Sequence, residues 1–214
     1  MAKIDFRRVS AWAGILAPLI FVTVFTLEGS VRPGYDPTSM YISALALGER
    51  GWIQILNFLI LGLLLFVFTV GLAKGTTSRK APRGGIIALL ILALLFFLSG
   101  LFVMDPAGTP TAQLSVHGLI HGLAGGIVFL LMPITIFLFL RHMWADRAWA
   151  SIRIWTCLLF LVEALGVIVF TYVSKLPVEK NLYLGWLGLL QRVALIPFMV
   201  WLCLFGVAQL KRQR

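Results

Sequence analysis

Charged residues are scarce in this chain, and their scarcity excludes an ordinary water-soluble fold. They make up 12% of the 214 residues, whereas hydrophobic residues make up 60%, and the mean hydropathy is +0.99. A soluble domain has about a quarter charged residues and about half apolar ones. No soluble fold of this size could bury so much apolar surface, so the composition indicates that the surrounding solvent is a lipid bilayer.

Cysteine and acidic residues are also few. The two cysteines, Cys157 and Cys203, both lie inside apolar segments, which argues against a structural disulfide. Only 8 residues are Asp or Glu, against 18 Lys or Arg, which gives a formal net charge of +10. The basic residues are dispersed in short loops between apolar runs and form no continuous patch, so we expect no nucleic-acid partner.

Six apolar runs are long enough to cross a bilayer as helices. A hydrocarbon core of about 30 Å requires about 20 apolar residues per helix. The runs are approximately Val9–Leu27, Trp52–Ala73, Gly84–Met104, Ser115–Leu140, Ile152–Val173 and Tyr183–Ala208. Their continuity contrasts with the alternating pattern of a transmembrane barrel. The sequence therefore predicts an all-α membrane protein, a bundle of six transmembrane helices that forms a single integral-membrane domain over residues 1–214.

Lys and Arg are unevenly divided between the two sides of this bundle. Most lie on the side that has both termini: Lys3, Arg7, Arg8, Lys74, Arg79, Lys80, Arg83, Arg141, Arg147, Arg153, Lys211, Arg212 and Arg214. The loops of the opposite side have Arg32, Arg50, Lys175 and Lys180. Because basic loops stay on the cytoplasmic side, we expect both termini to be cytoplasmic. Loops 28–51, 105–114 and 174–182 are then extracytoplasmic.

The segment SVHGLIHGLAGG, residues 115–126, carries two of the three histidines. His117 and His121 are four residues apart, so they share one face of the fourth helix, and Asp105 ends the third helix on the same side. These three residues are candidates for acid–base catalysis or for binding a divalent metal such as zinc. The Glu that follows the first His of a zinc metalloprotease helix is missing here. Hydrogen bonding of the histidines to nearby loop residues is the structural alternative.

Two charged residues fall deep inside predicted spans. Glu163 lies near the middle of the fifth helix, and Arg192 lies at a similar depth in the sixth. An ionised side chain at mid-membrane costs several kcal/mol, so we expect the two to pair. Such a pair is either structural, or it binds a ligand headgroup or carries a proton. A neutral buried Glu is a further alternative.

The same histidine segment contains a ladder of glycines. Gly118, Gly122 and Gly126 recur at four-residue spacing, and small residues at this spacing let helix backbones approach closely. We therefore expect the fourth helix to be central and tightly packed. That packing would turn the neighbouring stripe, with His117 and His121, toward the bundle interior.

The first extracytoplasmic loop is the longest, and it contains the stretch EGSVRPGYDPTSMYISALALGERGW. Pro-Gly and Asp-Pro pairs in it are turn signals, and TSMYISALAL is amphipathic enough to lie on the membrane surface or fold over the bundle. As a lid, this loop would present Arg32, Tyr35 and Asp36 to a pocket. Asn57, near the start of the second helix, adds a polar group on that side. An ordinary ordered loop at the interface is the alternative.

Three stretches of the chain resemble a known family. RPGYDPTSMYISALALGERGWIQILNFLILG, GLFVMDPAG and SVHGLIHGLAGG are similar to the bacterial and archaeal six-helix membrane proteins called domain of unknown function nine-nine-eight, or DUF998. The resemblance covers nearly the whole chain and implies a six-span plasma-membrane protein, with no assigned activity. The matching positions are Arg32, Tyr35, Asp36, Ser43, Asn57, Asp105, Pro106 and the histidine segment.

The distribution of polar residues predicts a pocket that opens to the outer leaflet and is closed by an apolar cytoplasmic half. Our leading interpretation is a polytopic membrane protein that binds a lipid-like or small amphipathic ligand. The predicted ligand contacts are Arg32, Tyr35, Asp36, Asn57, Glu163 and Arg192. Membrane lipids are the expected partners, and another membrane protein or a second copy of the chain are further candidates.

The sequence is also compatible with two other functions. The first is an intramembrane enzyme, acid–base or metal-dependent, that acts on a lipid or isoprenoid through Asp105, His117 and His121. The second is a small transporter or proton-coupled carrier, which the apolar cytoplasmic half and the absence of evident inverted repeats disfavour.

Overall fold

The structure is a computed structural model that describes residues 5–75, 82–146, 149–177 and 181–212. Within these ranges the chain forms long helices and short 3₁₀ turns, with no β-strand. The helices are α1 (Phe6–Val31), α2 (Gly51–Gly75), α3 (Arg83–Leu101), α4 (Val116–Ala145), α5 (Ala150–Ser174) and α6 (Leu187–Lys211). The turns are Ile42–Ala46, Thr111–Gln113 and Leu184–Trp186. All six helices are long and apolar enough to cross a membrane, so the predicted six-helix, all-α fold is confirmed.

The ends of the helices follow from local sequence. The side chains of Asp5 and Ser115 cap α1 and α4 by accepting hydrogen bonds from first-turn N–H groups. α1 ends before Arg32, whose extended backbone is the conformation favoured before a proline. α6 begins at Leu187, later than the predicted Tyr183, because a 3₁₀ turn precedes it.

The helices pack into a closed bundle around an aromatic core. α1 packs on α2 and α6, α2 on α3, and α5 on α6, while α4 lies against α3 and α5 and also contacts α6. The rings of Phe21 and Phe58 lie 5.4 Å apart between centroids, and those of Phe139 and Phe205 lie 4.8 Å apart. The buried faces therefore meet through bulky, rigid side chains that fix the relative positions of the helices.

Glycines set the closest helix contacts. A Cβ added to Gly62 on α2 would lie 2.7 Å from both the carbonyl oxygen of Ala93 and the backbone nitrogen of Phe97 on α3. A Cβ added to Gly166 on α5 would lie 3.1 Å from the carbonyl oxygen of Val193 on α6. Small residues thus bring α2 close to α3 and α5 close to α6.

The glycine ladder of α4 packs differently from the prediction. Gly118 lies against the carboxylate of Asp105, which an added Cβ would overlap. Gly122 and Gly126 are exposed, and an added Cβ at either would meet no neighbouring atom within 4 Å. The expectation that the ladder presses α4 into the bundle is wrong for these two glycines. Four-residue spacing places them on one face without deciding which way that face turns.

Replacing Gly62 with alanine is expected to destabilise the bundle by about 1–3 kcal/mol, because the new methyl group meets backbone atoms that cannot rotate away. Gly84→Ala on α3 is the matched control, since its Cβ would lie 3.6 Å from Leu138, an ordinary contact, and alanine is favoured over glycine in a helix. In thermal unfolding of the purified proteins in detergent, only Gly62→Ala should have a lower midpoint than the wild type. Equal midpoints for both variants would contradict the α2–α3 contact.

Candidate functional site

Polar side chains gather at one end of the bundle. We call it the first-loop end, since it carries residues 32–50 and 102–115, and we call the opposite end, where α1 begins and α6 ends, the terminal end. The buried polar residues at the first-loop end include Glu28, Ser43, Gln54, Asn57, Ser99 and His121. Most of the sequence-predicted site residues lie here too.

Glu28 and two arginines form an ion-pair network at the base of the first loop. Glu28, in the last turn of α1, is 5% exposed. Its Oε1 accepts hydrogen bonds from Arg32 Nε and Nη2, both at 3.0 Å, and from Arg50 Nε at 2.8 Å, while Oε2 accepts one from Arg50 Nη2 at 2.6 Å. Arg32 Nη1 also donates to the carbonyl oxygen of Leu47 at 3.0 Å. This carboxylate therefore ties the beginning of the first loop to its end.

Arg192 of α6 binds the middle of the first loop. Its Nη1 donates to the carbonyl oxygens of Pro37 at 2.7 Å, Met40 at 3.2 Å and Gly188 at 2.9 Å, and its Nη2 donates to the hydroxyl of Tyr35 at 2.7 Å. Burial raises the pKa of Tyr35 above its ordinary value, and the guanidinium opposes part of that change. Arg192 and Tyr35, both predicted as ligand contacts, thus hold the loop on α6.

Two further contacts fasten the same loop to α6. The backbone N–H of Leu189 donates to the carbonyl oxygen of Thr38 at 2.8 Å, which satisfies a donor that the first turn of a helix leaves free. The backbone N–H of Ile42 donates to Gln191 Oε1 at 2.7 Å. A Cβ at Gly188 would overlap loop carbonyl oxygens, so glycine is required for this approach.

Asp36 turns its side chain back into the loop. Its Oδ2 accepts a hydrogen bond from the Ser39 hydroxyl at 2.6 Å, and its Oδ1 accepts one from the Thr38 N–H at 2.9 Å. These bonds, led by that of Ser39, hold the pKa of Asp36 below its ordinary value. The exposed Asp36 therefore stabilises a turn within the loop.

Asp105 and His117 lie at the junction of α3 and α4. Asp105 Oδ2 accepts a hydrogen bond from the backbone N–H of Ser115 at 2.8 Å, and the Ser115 hydroxyl accepts one from the Gly118 N–H at 2.9 Å. Together they satisfy donors at the start of α4. His117 is exposed, and its ring centroid lies 5.2 Å from that of Phe102.

His121 is the buried member of the histidine pair. Its Nδ1 lies 2.8 Å from the carbonyl oxygen of Phe102, the residue that follows α3. A carbonyl oxygen only accepts, so Nδ1 carries the hydrogen, and in the neutral ring Nε2 then carries a lone pair. His121 therefore caps the end of α3 and keeps an acceptor on its other edge.

The candidate metal ligands do not form a metal site in the structure. Within the described residues, no three His, Cys, Asp or Glu side chains are grouped so that they could hold an ion. A zinc ion requires three or four converging protein ligands. Asp105, His117 and His121 instead contact the backbone of Ser115, the ring of Phe102 and the carbonyl of Phe102, respectively.

A cavity of about 50 Å³ lies beside His121, and it also borders the first loop and α6. Four polar residues line it: Ser43, Ser99, His121 and Gln191. Phenylalanine rings supply much of the remaining wall, and the lining residues within the described chain include no Asp, Glu, Lys or Arg. Such a space has room for a few waters or for a small neutral polar group.

The family of the chain follows from comparison with known proteins. A family model described as "Protein of unknown function (DUF998)" matches residues 15–208. The chain belongs to this family. The match includes α2 to α5, the first loop and most of α1 and α6, and it confirms the resemblance seen in the sequence. The curated proteins and the solved structures gave no match.

In this DUF998 protein, the predicted ion pair between Glu163 and Arg192 is wrong. Glu163 is 0% exposed, and neither carboxyl oxygen has a hydrogen-bond partner. Arg192 is bound to the first loop instead. Side chains lean toward the N-terminus of their own helix, and α5 and α6 begin at opposite ends of the bundle. The two side chains therefore lean away from each other, and the contact of Gly166 with Ala194 places Arg192 about five residues nearer the first-loop end than Glu163.

Asn57 acts between α2 and α1. Its Nδ2 donates to the carbonyl oxygen of Phe21 at 3.1 Å and to Gln54 Oε1 at 3.2 Å. Phe21 lines the cavity of the DUF998 protein, so Asn57 supports the cavity wall from behind without lining it.

Three polar cavity residues were not among the predicted site residues. Ser43 could have been identified as a candidate, since it lies in a stretch that resembles the family. Gln191 could have been identified too, because it is a polar residue beside Arg192 in an apolar helix. Nothing in the sequence identifies Ser99, because a single serine in an apolar run commonly hydrogen-bonds to its own helix. Here its hydroxyl donates to the carbonyl oxygen of Leu95.

Proposed function

We propose that this protein lies in the plasma membrane, with its first-loop end outside, and binds a neutral lipid-like molecule in the cavity beside His121. The excess of Lys and Arg in the loops and tails of the terminal end supports this orientation. The observation that carries the proposal is the cavity itself. It combines uncharged polar groups with aromatic walls, inside a bundle of helices that are long and apolar enough to cross a bilayer.

The polar groups of the cavity suit a hydroxyl or amide headgroup. His121 offers Nε2 as an acceptor, and Ser43 offers a hydroxyl. Gln191 uses its Oε1 on the loop backbone, which leaves its NH₂ group for a ligand. A phosphate or carboxylate would be buried without a counter-charge in this lining, at high cost in free energy. The chemistry therefore favours an uncharged headgroup.

The open face of α4 provides a route for the apolar part of such a ligand. Gly125 lines the cavity, and an added Cβ there would meet no atom within 4 Å. The exposed Gly122 and Gly126 lie beside it on α4. A hydrocarbon chain lying along these glycines would reach the surrounding lipid, while the headgroup sits beside His121.

Filling this route is expected to remove the ligand. Gly125→Leu places a branched side chain at the cavity wall, and we expect roughly a tenfold loss of bound lipid, equal to about 1.4 kcal/mol. The measurement is mass spectrometry of lipids extracted from protein purified in mild detergent. A bound species is recognised by its enrichment over its share of the source membrane.

The control is Gly84→Leu, an exposed position on α3 at the terminal end. Both variants should elute as folded, monodisperse protein, and Gly84→Leu should retain the lipid seen with the wild type. Equal enrichment of the same lipid in Gly125→Leu and the wild type would rule out this cavity as the binding site.

An intramembrane enzyme is the second candidate, and the geometry of His121 favours it. Its Nδ1–H is fixed on a backbone carbonyl, which orients the ring and leaves Nε2 free to take a proton from a bound hydroxyl. Conversion of the bound lipid by the wild type, and its loss in His121→Gln with the lipid still bound, would favour catalysis over binding alone.

A further inference from the structure

Glu163 is a carboxyl group buried in a membrane-spanning helix without a partner. It is 0% exposed, and both of its oxygens lack a hydrogen bond. Inside a bilayer no bulk water is present to satisfy polar groups, so an unpaired charge there is strongly unfavourable. The proposed lipid site does not use this residue, because Glu163 is not among the residues that line the cavity.

The depth of Glu163 follows from the contact of α5 with α6. Gly166 lies against Ala194, and because the two helices are antiparallel with equal rise, Glu163 lies level with Pro197. Proline has no N–H, so Pro197 leaves the carbonyl of Val193 without its helical donor. Trp201, one turn farther along α6, has an indole N–H that also lacks a partner.

Among the described residues of the helices packed against Glu163, no charged side chain pairs with its carboxyl group. α6 has Arg192, which is bound to the first loop, and Cys203, whose Sγ contacts the carbonyl of Ile15 on α1. α4 has His121, held by Phe102, and carries Arg141 and His142 near its terminal end. α5 itself carries Arg153 and Cys157 toward its N-terminus and Tyr172 near its C-terminus. Within the described residues, no Lys, Arg or His lies within ion-pair distance of Glu163.

We propose that Glu163 is a proton-binding site within the membrane: its carboxyl group keeps its proton at neutral pH, and the contact between α5 and α6 depends on that proton. The neutral acid carries no charge that would need a partner, so it fits the buried site. Its ionised form would place an unpaired charge between the two helices and drive them apart. A metal cation is disfavoured, because hard cations require several oxygen ligands and the described residues include no cluster of acidic side chains.

Infrared spectroscopy of the purified full chain in lipid nanodiscs tests this proposal directly. A protonated carboxyl absorbs above the amide I band, whereas a carboxylate absorbs below it. We expect the spectrum of the wild type minus that of Glu163→Gln, at neutral pH, to show the acid band. Raising the pH should remove this band and lower the thermal unfolding midpoint of the wild type more than that of Glu163→Gln.

Glu49→Gln is the matched control, because Glu49 is exposed in the first loop and its replacement should leave the acid band unchanged. If Glu163→Gln does not fold, Glu163→Asp should shift the acid band rather than abolish it. A carboxylate band at Glu163 at neutral pH would overturn the proposal. Loss of the acid band on adding sodium chloride at constant pH would overturn it too, because it would show a cation site in place of a proton site.

Discussion

Replacing Glu28 with alanine is expected to lower the free energy of unfolding by about 3 kcal/mol, among the largest effects of any single change in this protein. The carboxylate accepts four hydrogen bonds from Arg32 and Arg50. Arg32 is only 12% exposed at its side chain, so removing Glu28 leaves a nearly buried guanidinium without its counter-charge. The first loop would also lose the group that joins its two ends.

Titration of the purified protein with sodium dodecyl sulfate measures this effect. Arg50→Ala should cost less than Glu28→Ala, because Arg50 is 53% exposed and water can replace part of its interaction. Glu49→Ala, a neighbouring exposed carboxylate, should stay within about 0.5 kcal/mol of the wild type. A Glu28→Ala protein as stable as Glu49→Ala would show that the network contributes nothing to folding.

Replacing Arg192 with methionine should free the first loop from α6. The change keeps most of the apolar volume but removes the donors to Pro37, Met40, Gly188 and Tyr35. Hydrogen bonds from a charged group contribute about 1.5–3 kcal/mol each and do not add fully, so we expect a loss of about 3–5 kcal/mol. Residues 33–50 should also become sensitive to proteinase K.

Arg141→Met is the control, because Arg141 is exposed on α4 at the terminal end. It should leave both the unfolding midpoint and the protection of residues 33–50 unchanged. Cleavage of the first loop at equal rates in the wild type and in Arg192→Met would disprove the role of Arg192 in fastening it. Mass spectrometry of the first fragments locates the cleaved bond.

The helices were predictable because each is a long apolar run, and bilayer thickness sets its length. Hydropathy does not report where the backbone leaves the helix, and the ends therefore differ by a few residues. α3 ends at Leu101 rather than at the predicted Met104, and the next residue, Phe102, is extended and presents its carbonyl to His121. Such an end depends on a contact with another helix, which a single run of sequence does not contain.

The candidate site was predictable in composition but not in pairing. The sequence indicated which residues are polar and at which end of the bundle they lie. It did not indicate that Arg192 binds the first loop rather than Glu163, because helix register and side-chain direction decide this. The histidine pair shows the same limit. Both were expected to face the interior, yet His121 is buried and His117 is exposed.

The attachment of the first loop to α6 also constrains the order of events during synthesis of the chain. Tyr35 and Arg192 are 157 residues apart in sequence. At about 5–20 residues per second, the ribosome needs roughly eight to thirty seconds to make Arg192 after Tyr35. Throughout that interval, Tyr35 and the loop carbonyls lack the guanidinium that finally binds them. The first loop to be made is therefore among the last parts of the protein to reach its final conformation, and insertion of α6 is the event that completes it.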